Sequence, residues 1–473
     1  MSLPDLLALL TTSINNLTAQ YASAGHALPS LDTPYDSKSP AETFRLGNPA
    51  VVDATKEIIA AASQIIVAVR DPVVGLFLSA HSFNVPACLR VASELNVPEI
   101  LREAREQGAS AEKIASYSGV DAGLLERVLR LLATHHIFRE IGPGIFTNNR
   151  VSSAMDKGKS VKDLLERPGE RFSEPQSGRA AHVEFLADEC FRSASVLADT
   201  MRDPKASTPL LQAFNQPPTA NLFSFLETSP ARLGRFSIAM DVTMTTNQLA
   251  DGYPWVNLAT GDKKLVVDVG AGMGGYIMGV ARQLGSSDKI EFVIQDREKT
   301  VVKARKNWEE HLPEVVTKGL VKFEPQDFFN AQPSRSAPVS VFVLRHILHN
   351  WPNAKATQIL RRLRDAASAE TQLLIIDRVV RPASLVESAH PEIVESIPGA
   401  KLAPAPAPLL PNWGVAGQMM YHYDLTMHNL LGATERTVDG FVALLRGAGW
   451  ELVRIHRDPH ASQSSNLVAR PLL

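Results

Sequence analysis

LVVDVGAGMGGYIMGVARQLG, residues 265–285, is the stretch that decides the fold. An apolar run of strand length stops at a cluster of glycines, and a helical pattern begins directly behind it. Outward from it, the apolar runs EFVIQD (291–296), VSVFVLR (339–345) and QLLIID (372–377) alternate with helical patterns such as KTVVKARKNWEEH (299–311) and AKATQILRRLRDAA (354–367). Apolar strands alternating with helices mean βαβ units, so residues 251–473 are expected to form a Rossmann-like α/β domain with a doubly wound parallel sheet.

Glycines at such a turn let the backbone approach a ligand closely. Gly270, Gly272 and Gly274 satisfy GxGxG, and Gly275 as the third glycine satisfies GxGxxG, so spacing alone leaves an adenosylmethionine site and a dinucleotide site both open. Asp296 ends the next strand, 296 − 274 = 22 residues on, where a carboxylate accepts hydrogen bonds from the ribose that both ligands contain. Other features favour adenosylmethionine or its demethylated product, adenosylhomocysteine. Asp268 puts a carboxylate at the strand end, suited to a zwitterionic amino acid and repulsive to a pyrophosphate. The nucleotide unit lies behind a helical domain. Asp327-Phe328-Phe329 offers a carboxylate for an adenine amino group and rings to stack on it.

Ahead of the sheet the chain is helical. Residues 1–40 read as an amphipathic helix, with Leu3, Leu6, Leu7, Leu10, Ile14 and Leu17 on one stripe, followed by a Ser, Pro and Asp-rich arm from Ala27 to Pro40. Residues 41–156 contain a recognisable order. Ser110 opens a short helix, Gly119 stops it, Asp121 caps a longer one through Leu132, and Gly142-Pro143-Gly144 turns a hairpin. That is the winged-helix arrangement, but its basic residues are scattered and its second helix, DAGLLERVLRLLATHH, is mainly apolar, which points to protein contact and not DNA. Residues 157–250 read as a connector and cavity wall, in which Phe236, Met240 and Met244 recur every four positions on one helical face. The Pro-rich segment Ala403–Pro411 is expected to be extended and exposed.

Forty-eight Lys and Arg against fifty Asp and Glu leave a net charge of −2, so no global field attracts nucleic acid or an anionic membrane. Cys88 and Cys190 are too few for a disulfide framework and read as apolar core residues of a reducing compartment. The first basic residue is Lys38, which argues against a targeting peptide. Charges such as Asp53, Lys56 and Arg70 interrupt the long apolar run, so a cytoplasmic protein without a membrane span is expected.

LLERVLRLLATHHIFREI (124–141), LVVDVGAGMGG (265–275), FVIQD (292–296), QDFF (326–329), LRHILHNW (344–351), LLPNWG (409–414) and GATERTVDGF (432–441) occur together in one order between Arg45 and Ala469. As a set this resembles the class I adenosylmethionine-dependent O-methyltransferases of the caffeate type, in their fungal secondary-metabolism branch. The resemblance implies a homodimer joined through its N-terminal domain, with no resident metal. It implies His349 as general base, flanked by Asp377 and Glu435. A histidine titrating near pH 6.5 suits the deprotonation of a phenol or enol. The usual His-Asp-Trp is His349-Asn350-Trp351 here, and Asp377 stands where many relatives have Glu, which lengthens the expected hydrogen bond to His349. His346 and His349 invite a metal reading, for which spacing supplies no third ligand.

Methyl transfer to a hydroxyl of an aromatic or polyketide-derived metabolite is the expected activity, with substrate walls from Phe223, Met240, Met244, Met419, Met420, His422, Asp424 and Met427. The alternative is that of O-methyltransferase-like pericyclases, which keep the cofactor pocket without consuming the cofactor. Arg345, four residues before His349, shares its face if the segment is helical and would polarise a substrate carbonyl; otherwise it is the cation common at that position in the family.

Overall fold

The protein is described by a computed structural model covering residues 2–203, 207–244, 252–285, 287–386, 388–457 and 464–472, with backbone only for 241–244. The chain divides into two compact units, Met1–Thr245 and Thr246–Leu473.

In the first unit, Ser2 caps the helix Leu3–Ser23, which packs along the helix Pro49–Val69 of the same chain. Leu6 is buried there, and Ser13 donates to Glu57 across the pair at 2.6 Å, while Leu3, Leu7 and Ile14 stay exposed. Ser110 and Asp121 accept from the backbone N–H of Lys113 and Leu124, capping the helices Ala111–Ser116 and Ala122–Thr134. Leu125, Leu129 and Leu132 of the second helix enter a core with Ile114, Phe138 and Phe146. Strands β1 (Ala109–Ser110), β2 (Arg139–Gly142) and β3 (Ile145–Thr147) form an antiparallel sheet in the order β1-β3-β2. Further on, the helix Pro230–Met244 packs on Gly178–Phe185, with Phe236 meeting Phe185 edge to face at 5.3 Å.

Charge does not interrupt every apolar stretch of this unit. Among the described residues the helical stretch Pro72–Glu94 is long and apolar enough to cross a membrane by length and composition. The charges that interrupt the run from Val51 to Leu78 end at Asp71, and Val73, Val74, Leu76, Phe77, Leu78 and Phe83 are all exposed.

The second unit is a seven-stranded sheet of β4 (Lys264–Val269), β5 (Ile290–Asp296), β6 (Val321–Pro325), β7 (Val341–Arg345), β8 (Gln372–Arg378), β9 (Trp450–Arg457) and β10 (Ser464–Pro471). The order is β6-β5-β4-β7-β8-β10-β9; the first five strands are parallel, and β10 runs antiparallel between β8 and β9. Near-continuous apolar strands fit a sheet covered on both faces. One face packs on the helices Gly275–Gln283 and Glu298–His311 around Trp308, the other on Asn353–Asp365 and Val438–Gly447 around Trp450. Strand order reverses between β4 and β7, and a crevice outside the carboxyl ends at such a switch point is where open α/β sheets bind ligands. Ala403–Pro411 is irregular as expected but not wholly exposed, since Ala405 and Leu409 are buried.

Candidate active site

At the β4 end the turn is closed by backbone. Gly270 and Ala271 both donate to the Gln295 carbonyl at 2.9 Å. Gly272 donates to Asp296 Oδ2 at 2.8 Å, and Arg297 to Asp296 Oδ1 at 2.7 Å, so this carboxylate locks the turn. The glycines do different jobs. At Gly274 (φ +71°) a Cβ would lie 2.6 Å from the Trp308 indole nitrogen, so that residue answers to packing, whereas a Cβ at Gly272 (φ +58°) would meet open space. A Cβ at Gly270 would meet Ile347 at 2.6 Å and Phe328 at 3.4 Å, which places Phe328 beside the turn. Phe328, Phe329 and Trp351 form an edge-to-face cluster with centroids 4.8–6.0 Å apart. Asp327 is exposed and accepts from the Phe329 N–H at 3.0 Å. Asp268 is buried, and its carboxyl is pushed up to about 7 by that burial and by the Asp296 charge, against the pull of Arg345. Open space at Gly272, whose N–H meets the Asp296 carboxylate, and a phenylalanine ring beside Gly270 suit a cationic nucleoside such as adenosylmethionine better than a pyrophosphate.

The β7 end is built from side chains. The strand stops at Arg345, His346 takes a left-handed φ of +51°, and a short turn over Leu348–Asn350 carries His349. His349 Nδ1 lies 2.8 Å from Glu435 Oε1, which also accepts from Arg378 Nη1 at 3.1 Å. The Arg378 guanidinium in turn covers the Tyr423 ring at 4.1 Å. Burial works against the His349 charge, but the Glu435 hydrogen bond and the fields of Asp377 and Glu435 outweigh burial and the opposing Arg378, and hold its pKa above the ordinary histidine value. Burial raises the Glu435 carboxyl, yet His349 and Arg378 bring it below the usual glutamate range.

Several expectations need correcting here. Asp377 does not reach His349 with a hydrogen bond: it is fully buried, neither oxygen has a hydrogen-bond partner among the described residues, and its near neighbour is His346 Nδ1 at 3.7 Å. Its influence on His349 is through its charge. Burial pushes His346 down to about 4, so it is neutral at pH 7 despite Asp377. Spacing offered no third ligand to the histidine pair, but the fold brings Asp377 to it, with one donor atom from each of the three residues within 4.8 Å of the others. Arg345 does not share a helical face with His349, because the strand ends between them. It lies instead at the β4 end, where burial works against its charge and Asp268 favours it, with its guanidinium 6.0 Å from the Tyr276 ring. Asn350 is bound to the carbonyl of His346 at 2.9 Å, within its own turn.

Of the substrate candidates, Met420, Asp424 and Met427 are half-buried on the helix Met419–Leu431, and Met419 and His422 are exposed. Asp424 is occupied: its Oδ1 accepts from Thr434 Oγ1 at 3.0 Å and from the Glu435 N–H at 2.9 Å, so it fixes the loop that carries Glu435. Phe223 and Met240 lie in the first unit, Phe223 with its ring 6.5 Å from Phe236, and the Met244 side chain lies outside the described residues. The sequence reading missed Arg378 and Tyr423. Arg378 directly follows Asp377 at a strand end, and Tyr423 falls three residues after Met420 on the same helix, the spacing that puts both on one face.

Residues 77–157 match the O-methyltransferase dimerisation domain and residues 195–394 the O-methyltransferase domain. An O-methyltransferase of Armillaria gallica is 35% identical over 96% of this chain and 95% of its own length. 4-O-methyltransferase 1 of Phanerochaete chrysosporium is 34% identical over 96% of both. Among solved structures, OxaC in complex with sinefungin and meleagrin superposes with a TM-score of 0.64 at 18% identity over 98% of this chain and 99% of that one. A pericyclic reaction enzyme superposes with a TM-score of 0.64 at 19% identity over 88% and 94%. At those identities the likeness is one of fold, and the near relatives decide the chemistry: the chain belongs to the adenosylmethionine-dependent O-methyltransferases of the caffeate type.

Proposed function

We propose that this enzyme methylates a hydroxyl oxygen of an aromatic or polyketide-derived metabolite, with His349 as the general base. The observation that carries this reading is the buried His349–Glu435 pair, 2.8 Å apart, beside the switch point of the sheet. A phenol with a pKa of about 10 is a poor nucleophile while it holds its proton. With the Nδ1 proton donated to Glu435, His349 keeps its Nε2 lone pair to take that proton, and the imidazolium is held by Glu435 and by the charge of Asp377. Adenosylmethionine supplies an electrophilic methyl group. Asp268 and Asp296 would hold its amino acid and ribose parts, the open space at Gly272 would admit it, and Asp327 and Phe328 would receive the adenine. Met420 and Met427 would face the substrate as adaptable apolar wall.

The pericyclic alternative asks Arg345 to polarise a substrate carbonyl, and its place beside Asp268 and Tyr276 favours a role at the cofactor end instead. Product mass tests the choice. Transfer adds one methyl group and consumes adenosylmethionine, whereas an isomerised or dehydrated product with undiminished adenosylmethionine would overturn the proposal.

The exposed apolar residues Val73, Val74, Leu76, Phe77, Leu78 and Phe83 would be buried in a cytoplasmic homodimer, since a patch of this kind on a protein surface marks an interface. A monomer at micromolar concentration in light scattering would contradict it.

A further inference from the structure

We propose that Arg436 is the positioning residue of the base: one buried guanidinium ties the turn that carries His349 to the loop that carries Glu435. This inference rests on the reading of His349 as base. Arg436 follows Glu435 directly and is 4% exposed. Its Nη1 donates to the carbonyl of Leu348 at 2.8 Å and its Nη2 to the carbonyl of Trp351 at 2.8 Å, so it grips the backbone on both sides of His349. Nε and Nη2 form a fork on Asn353 Oδ1 at 3.1 and 3.0 Å, and the Thr434 carbonyl lies 3.5 Å from Nη1. Its own backbone carbonyl accepts from Val380, which fixes the residue to the end of β8.

A guanidinium has five N–H donors in a rigid plane, and here the acceptors are all neutral oxygens. A buried cation is costly unless something repays its desolvation. Burial does work against the Arg436 charge, and the nearby charges of Asp377, Glu435 and Asp424 favour it. The residue therefore joins two segments 86 positions apart whose side chains must meet at 2.8 Å, and its side-chain hydrogen bonds go to neutral oxygens and to neither carboxylate beside the base. Lysine, with three donors and no plane, cannot make the same span.

The test uses the full-length enzyme and the variants Arg436→Ala, Arg436→Lys and Asn353→Ala. Displacement of a reacting group by about 1 Å costs on the order of 10²-fold, so Arg436→Ala should lower kcat by about 10–10²-fold while the KM for adenosylmethionine changes less than about twofold. Asn353→Ala, which removes one acceptor of the fork, should cost about threefold, and Arg436→Lys should fall between the two. Added guanidinium ion should restore part of the turnover of Arg436→Ala. The acid limb of its pH profile should move down, because His349 would lose the Glu435 bond; a purely electrostatic role would move the limb up. An unchanged kcat and pH limb in the folded variants would overturn the proposal, and where Arg436→Ala does not fold, Arg436→Lys and Asn353→Ala decide it on the same readouts. If His349→Ala keeps full turnover, the base reading fails instead. The positioning claim is then judged by titrating the 13C-labelled His349 imidazole, whose midpoint falls in Arg436→Ala if the clamp holds it to Glu435 and stays put if it does not.

Discussion

The turns that follow β4 and β7 leave neighbouring parallel strands on either side of the same switch point, and they are made of opposite materials. After β4 the geometry is fixed mainly by main-chain N–H groups and left-handed glycines, with the Asp296 carboxylate receiving the Gly272 N–H and Asn307 donating to the Met273 carbonyl. After β7 the main chain only delivers His349, and its surroundings come from β8, from the helix Met419–Leu431 and from the loop at 434–436. A backbone cradle suits a ligand whose shape does not vary. A nest of side chains suits a place where chemistry has to be tuned, because each group is replaceable on its own.

The sharpest way to break this contrast is to remove the base. His349→Ala should lower kcat by about 10²–10⁴-fold and leave adenosylmethionine affinity, measured by calorimetry, nearly unchanged. The converse change is Gly272→Val, which puts a β-branched residue at φ +58° and a side chain into the open space. A left-handed β-branched residue costs about 1–2 kcal/mol, and with the lost room we expect adenosylmethionine to bind about 10–10²-fold more weakly, while product formation at saturating cofactor falls less.

Protonation refines the comparison. His349 must be neutral to act, and its pKa is raised, so the acid limb of kcat should lie above the ordinary histidine range and activity should climb as pH rises through it. Glu435→Gln removes the first of the groups that raise it; the limb should move to lower pH and kcat should drop about tenfold. At the other turn the titrating group is Asp268, pushed up to about 7. Its ionised form is the one that attracts the ammonium group of the zwitterionic amino acid part, so adenosylmethionine affinity should rise about fivefold to tenfold between pH 6 and pH 8. Asp268→Asn should flatten that dependence; a flat profile in the unaltered enzyme would separate Asp268 from the cofactor.

The same contrast explains what could be read in advance. The glycine turn, the strand before it and Asp296 lie within one run of sequence and obey local rules of chirality and spacing, so the run 265–296 carried the fold and a nucleoside-binding turn, while the choice between two cofactors drew on residues outside it. The hairpin at Gly142-Pro143-Gly144 and the caps at Ser110 and Asp121 were legible for the same reason. Arg378, Tyr423 and Arg436 were not, because what they touch is set by the order in which strands and loops are stacked. Arg345 was misplaced by a helical spacing rule applied across the end of a strand. The apolar face at 73–83 was not legible as a surface, because only exposure distinguishes a surface stripe from a core one.

Strand β10 has a consequence for the order in which a ribosome makes this enzyme. It is synthesised after the other six strands, yet it occupies an inner place, paired with β8 on one side and β9 on the other. Its first residues, Ser464 and Ser465, pair with Arg378 and Asp377 at the very end of β8. The nascent chain can stack β4 through β8 early, but β8 has an open edge until residues 464–471 leave the exit tunnel and slot in. Two of the groups around the base thus gain their final support only from a strand made after the other six, so a chain stalled before β10 would hold the cofactor turn in place before it could hold the catalytic one.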